Sequence, residues 1–66
     1  MELTVNGAGR VVPGGTSVAD LVRDIVPEQR GVAVAVNGEV VPRVGWPATA
    51  LRDGDRVEVL TAAQGG

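Results

Sequence analysis

The sequence predicts a small α+β domain: a mixed sheet of four or five strands packed against one main helix, followed by a flexible C-terminal tail. Three observations predict it. Short valine-rich runs recur between Gly, Pro and Asn-Gly turn signals, and β-branched valine favours strands over helices. One stretch alone, Ser17 to Val26, carries the apolar period of a helix. At 66 residues the chain has room for one core, since domains of this size bury only about 60% of the surface that their unfolded chain exposes. There is no Cys and no His, so neither a disulfide nor the usual zinc ligands can staple the fold. The core must come from Val, Leu, Ile, Ala and the single Trp46.

Leu3 and Val5 alternate with Glu2 and Thr4, the period of a strand with one face inward. Asn6-Gly7-Ala8-Gly9 reads as turn material, and Arg10-Val11-Val12 as a short return strand ended by Pro13-Gly14-Gly15. The two strands form a hairpin. Ser17 is the predicted helix N-cap, with Asp20 three residues on in the capping-box position. Val18, Leu21, Val22 and Ile25 then follow the i, i+3, i+4, i+7 pattern, leaving Asp20, Arg23 and Asp24 toward solvent. Pro27 disfavours the helical region for Val26 and ends the helix. A helix this short is not stable alone and must lie on a sheet.

Val32-Ala33-Val34-Ala35-Val36 is apolar on both faces and suits a central strand, with the alanines on a mildly apolar outer side. Asn37-Gly38 is a hairpin turn with a structural role, Glu39-Val40-Val41 the next short strand, and Pro42 its stop. Residues 43–52 are less regular, with a short helical turn expected near Pro47-Ala48-Thr49-Ala50. Asp53-Gly54-Asp55 is a loop that launches the last strand, Arg56 to Leu60. Two hairpin-like ends around one helix make a β-grasp fold the natural solution. The first and last strands then pair in parallel at the sheet centre, because the helix supplies the crossover such pairing needs. One domain over residues 1–60 and a tail over 61–66 complete the expected organisation.

Composition excludes several classes of function. Six cationic and eight acidic side chains give a net charge of −2. With no basic patch and no aromatic platform, nucleic-acid binding is not supported. No apolar run approaches the ~20 residues of a membrane span, and no basic-then-apolar leader opens the chain. A soluble, cytoplasmic protein, monomeric when free, is expected. Asp53, Asp55 and Glu58 lack calcium-loop spacing and read as a solvated rim, so no metal site is expected. Gly14-Gly15 is a loop and not a phosphate cradle, since no Gly-Lys-Ser/Thr follows.

Three blocks carry a family resemblance. The first runs from Val36-Asn37 through Val41-Pro42-Arg43 to Trp46. The second is Leu51-Arg52-Asp53-Gly54-Asp55-Arg56-Val57-Glu58-Val59, and the third Gln64-Gly65-Gly66 at the chain end. The helix start, Thr16 to Leu21, fits as well. Together they resemble the ThiS family, the ubiquitin-like β-grasp sulfur carriers of thiamine biosynthesis. The resemblance covers the whole chain.

The resemblance implies that Gly66 is the reactive position and that Gly65 leads to it. A carboxylate does not accept sulfur directly, because oxide is a very poor leaving group. ATP turns it into an acyl-adenylate, and a sulfur donor then displaces AMP to leave a thiocarboxylate. Two glycines suit a narrow channel that grips backbone alone. Six extended residues from Thr61 reach at most about 20 Å, enough to enter a partner's active site while the globule docks outside. The implied partners are a ubiquitin-activating-like adenylyltransferase (ThiF-like), which uses ATP and magnesium, a cysteine desulfurase relay, and a thiazole synthase (ThiG-like). The protein itself binds no cofactor and is a co-substrate, not an enzyme.

The remaining candidates each have two readings. Thr61-Ala62-Ala63-Gln64 is either a plain tail or a lead sequence in which Ala63 and Gln64 touch the partner. Leu60, if it faces outward with Ala33 or Ala35, forms an apolar docking patch. Arg43 is a solvated charge, a tie to Glu39, or a contact to the activating enzyme or synthase. Trp46 is a core plug or an exposed anchor of the kind found at interface hot spots. Rival functions stay open here: a carrier for molybdopterin, cysteine or a secondary metabolite, a protein modifier joined to lysines, or a plain β-grasp binding module.

Overall fold

The computed structural model describes residues 1–28 and 30–61; Gln29 and residues 62–66 lie outside it. The elements are β1 (Glu2–Val5), β2 (Ala8–Val11), α1 (Val18–Ile25), β3 (Val32–Val36), β4 (Glu39–Val41), a 3₁₀ helix (Arg43–Ala48) and β5 (Arg56–Thr61). The strands form one sheet in the order β2-β1-β5-β3-β4. β1 and β5 run parallel, with Thr4 opposite Arg56 and Val5 opposite Val57. Every other pairing is antiparallel. This is the mixed sheet and single helix of the ubiquitin-like β-grasp fold, with the first and last strands adjacent at its centre as expected.

The core lies between the sheet and α1. Val18, Leu21 and Val22 come from the helix, and Leu3, Val34, Val57 and Val59 from the strands, with Val12, Trp46 and Leu51 closing the ends. Among the described residues no polar or charged residue is buried, and no buried side-chain nitrogen or oxygen lacks a hydrogen-bond partner. Apolar burial, at about 25 cal/mol per Å² removed from water, is the main source of such a core's stabilisation. Arg10 on β2 reaches Asp24 on α1 at 2.7 Å and bridges the two layers at the surface.

The helix begins where its sequence directs. Ser17 accepts from the Asp20 amide, and Asp20 accepts from the Ser17 amide, each at 3.1 Å. Val26 leaves the helical region ahead of Pro27. The segment after the 3₁₀ helix runs back along this entry. The Val18 amide donates to the Thr49 carbonyl, and the Leu51 amide to the Thr16 carbonyl, both at 2.9 Å. These bonds tie the irregular segment to the helix start.

Four boundaries differ from expectation. The first turn is only Asn6-Gly7, both with positive φ, so Ala8 and Gly9 already belong to β2. Val12 lies past the end of that strand and is buried. The helical turn expected near Pro47 is a 3₁₀ helix that starts earlier, at Arg43, and ends at Ala48. β5 extends through Thr61, because Val32 on β3 pairs with it.

Candidate functional site

β5 leads toward the C-terminus, so its two faces and two edges define the site. Along it Val57 and Val59 are buried while Arg56, Glu58 and Leu60 face outward. Leu60 is 67% exposed and lies opposite Ala33 on β3. Ala35, two residues on, lies between Glu58 of β5 and Val40 of β4. Val40 is 74% exposed. Leu60, Ala33, Ala35 and Val40 thus form a flat apolar strip on the sheet face away from the helix, flanked by the charges of Glu58 and Arg56. Leu60 faces outward beside Ala33, which meets the condition that the sequence left open for an apolar patch. Val40 was not expected, although its signal is present: once Val41 turns into the core, period-2 alternation sends Val40 out.

Both Asn-Gly turns grip β5. Asn37 has φ +52°, and its side chain accepts from the Arg56 amide at 2.9 Å and donates to Asp55 Oδ1 at 3.0 Å. The structural role read for Asn37 and Gly38 is therefore larger than a turn: Asn37 also fixes the start of β5. Asn6, with φ +50°, does the equivalent further along. Its side-chain amide accepts from the Val59 N–H at 2.8 Å and donates to the Val59 carbonyl at 3.1 Å. Sequence reasoning assigned Asn6 to a turn and missed this contact, which spans 53 residues of chain.

Trp46 is 3% exposed, and its indole N–H donates to the Val41 carbonyl at 2.9 Å. The exposed-anchor reading of Trp46 is corrected. The 3₁₀ helix turns the ring into the end of the core, where its one polar atom meets a strand-end carbonyl left free before Pro42. The tie between Arg43 and Glu39 is also corrected, because the Arg43 guanidinium lies over the Trp46 ring, 5.7 Å from its centroid. Arg43 stays exposed there and free to meet a partner. Pro42 sits between β4 and the 3₁₀ helix, as its role of strand stop requires.

The acidic groups near β5 are mostly occupied by backbone. Asp53 accepts from the Glu2 amide at 2.7 Å, and Asp55 accepts from the Arg52 amide at 2.8 Å. They are turn-formers and not merely a solvated rim. Among the described residues no acidic cluster could hold a metal. The Asp20 carboxyl is held below its ordinary value of 3.8, first by the Ser17 backbone N–H, then by the Ser17 side chain, with Arg23 adding to the effect. The expected reactive positions, Gly66 and Gly65, and the expected contacts Gln64 and Ala63, lie outside the described residues.

The geometry is a strand end with an apolar strip beside it, and comparison with known proteins gives that arrangement a family. The ThiS family model matches residues 2–66. The chain belongs to the ThiS family. Among ThiS relatives, the sulfur carrier protein ThiS of Escherichia coli is 29% identical over 66 residues and covers the whole of both chains. That of Thermus thermophilus is 39% identical over 62 residues, covering 94% of this chain and 95% of its own. A thiazole synthase of Paramagnetospirillum magneticum is 33% identical over 66 residues; the chain spans only 20% of that relative's length. The crystal structure of the ThiS protein of Geobacter metallireducens superposes with a TM-score of 0.85 at 39% identity, covering both chains fully. The solution structure of a thiamine biosynthesis protein from the same organism gives 0.82 at 40% identity, over all of this chain and 88% of the other.

Proposed function

We propose that this chain is a sulfur carrier of thiamine biosynthesis whose Gly66 carboxylate is adenylated and then converted to a thiocarboxylate that supplies sulfur for thiazole formation. The observation that carries the proposal is the reach of the ThiS match, over residues 2–66 and so to the Gly-Gly end. The relatives that match over nearly their full length bear the name sulfur carrier protein.

The chemistry needs nothing from the globule except a docked strand and a free end. A carboxylate oxygen of Gly66 attacks the α-phosphorus of ATP and pyrophosphate leaves. A persulfide sulfur attacks the acyl carbon and AMP leaves. A second thiol then takes the other sulfur of that acyl persulfide, forming a disulfide and releasing the thiocarboxylate. The adenylyltransferase with its ATP and magnesium, and the cysteine-desulfurase relay, are partners that supply these steps. The protein is their co-substrate and not an enzyme, acting in the cytoplasm. The strip of Leu60, Ala33, Ala35 and Val40, with Arg43 elsewhere on the surface, is the proposed docking surface; Ala63 to Gly66 enter the partner.

Thiazole formation is favoured over molybdopterin or other sulfur pathways by the relative named thiazole synthase, which contains a stretch matching this whole chain. A chain-building protein modifier is disfavoured by composition: all six cationic side chains are arginine, so no lysine is available to extend such chains.

ATP–pyrophosphate exchange with a ThiF-like enzyme tests the proposal. The full chain should support exchange, and a chain lacking Gly66 should not. Exchange that survives removal of Gly66 would contradict it.

A further inference from the structure

We infer that Asn6 is a positioning residue that fixes the direction in which the C-terminal segment leaves the sheet; the inference rests on the carrier reading given above. β1 stops pairing with β5 at Val5, opposite Val57. The backbone continues one step further, with the Asn6 backbone N–H donating to the Val57 carbonyl at 2.9 Å. The chain then turns away at Gly7. Past that point, Val59 would present an N–H and a carbonyl with no strand beside them. The Asn6 side chain meets both, at 2.8 and 3.1 Å. A primary amide is the one side-chain group that carries a donor and an acceptor in the spacing of a peptide unit, so Asn6 stands in for the missing strand residue.

The consequence lies in where Val59 sits. On the other side β5 is paired through Thr61, with Leu60 opposite Ala33 and Thr61 opposite Val32. Val59 is therefore the last residue of the chain held on both edges among the described residues. Two residues later the segment that ends in Gly66 begins. A small rotation of β5 at Val59 swings everything beyond it, over a lever of up to about 3.4 Å per extended residue. Reactions that depend on placing an end group in a channel are sensitive to displacements of this kind: about 1 Å of misplacement can cost up to ~100-fold in rate. The positive φ of Asn6 explains why the turn carries this residue type, since Asn tolerates that region and also brings the amide.

The fold provides its own control. Asn37 makes a comparable number of contacts at the start of β5, accepting from the Arg56 amide and donating to the Asp55 carboxylate. Asn6→Gly and Asn37→Gly each keep a turn residue that accepts positive φ and each lose two side-chain hydrogen bonds. Steady-state adenylation of the full chain by a ThiF-like enzyme separates aim from stability. Asn6→Gly should lower kcat about tenfold with KM changed less than about twofold, a split that marks lost positioning in the bound state. Asn37→Gly should keep kcat within about twofold although its melting temperature falls as far as that of Asn6→Gly, each having lost two side-chain hydrogen bonds. Asn6→Asp, which keeps the acceptor for the Val59 amide but sets a carboxylate oxygen against the Val59 carbonyl, should lower kcat at least as much as Asn6→Gly, and it carries the test if Asn6→Gly fails to fold. In parallel, nitrogen-15 relaxation of the free chains should show larger fast motion at Leu60 and Thr61 in Asn6→Gly and not in Asn37→Gly. Equal kcat losses in both variants, an Asn6→Gly effect confined to KM, or unchanged motion at Thr61 would overturn the inference. A wild-type chain that is not adenylated would instead overturn the carrier reading, and the relaxation comparison would still decide the role of Asn6.

Discussion

Single residues carry much of this fold's stability because the core is so small. A 66-residue domain has a total stability of roughly 3–10 kcal/mol at 0.05–0.15 kcal/mol per residue. Trp46→Ala should cost about 3–5 kcal/mol and leave little native population in urea titrations. Trp46→Phe should be milder, but it leaves the Val41 carbonyl without the indole donor, worth about 1 kcal/mol. The capping pair makes a pH prediction. The folded value of Asp20 is lowered from 3.8, so its contribution is fully present above that value and is lost as pH falls through the lowered one. Urea midpoints should therefore fall as the pH drops below 3.8 in the wild type, and Asp20→Asn should flatten that part of the curve. If the slope in that acidic range is unchanged in Asp20→Asn, the capping box is not the cause. Ser17 and Asp20 were legible in the sequence because a cap is a local contact within a single helical turn. Trp46 left two readings because its burial depends on how the 3₁₀ helix folds back over the core. The role of Asn6 at Val59 was hidden for the same reason, since nothing local announces a partner 53 residues away.

At the scale of elements, β5 is the unit that joins the core to the proposed docking strip. Its inward valines anchor it, and its outward Leu60 contributes the apolar strip with Ala33, Ala35 and Val40. Leu60→Asp removes an exposed side chain, so folding stability should change by less than about 0.5 kcal/mol. Its KM with the activating enzyme should rise about tenfold, the equivalent of about 1.4 kcal/mol of lost docking, with kcat little changed. An unchanged KM would remove Leu60 from the docking surface. The valine alternation made β3, β4 and most of β5 readable. The first hairpin was misjudged at Ala8 and Gly9, whose composition resembles a turn while their pairing with Val5 and Thr4 makes them strand. Small residues carry little side-chain preference, so pairing decides.

For the whole molecule, the topology sets β5 at the centre of the sheet, and β5 is the strand that leads toward the proposed reactive end. The helix crossover lets β1 and β5 pair in parallel, and both hairpin turns then fall beside β5 and hold it through an Asn side chain. That architecture followed from the order of elements. The assignment of Gly66 did not follow from packing: it came from the pattern of Asn37, Pro42, Arg43, Trp46 and the terminal glycines, and the ThiS match now spans the same stretch. The most direct test is a fragment mass analysis of the full chain after incubation with a ThiF-like enzyme, ATP and a sulfide source. Exchange of oxygen for sulfur adds about 16 Da, as does oxidation of Met1, so fragmentation must locate the change. A gain confined to Gly66, and absent from a chain lacking that residue, is the predicted result. An unmodified Gly66 under an enzyme proven active on another carrier would contradict the account.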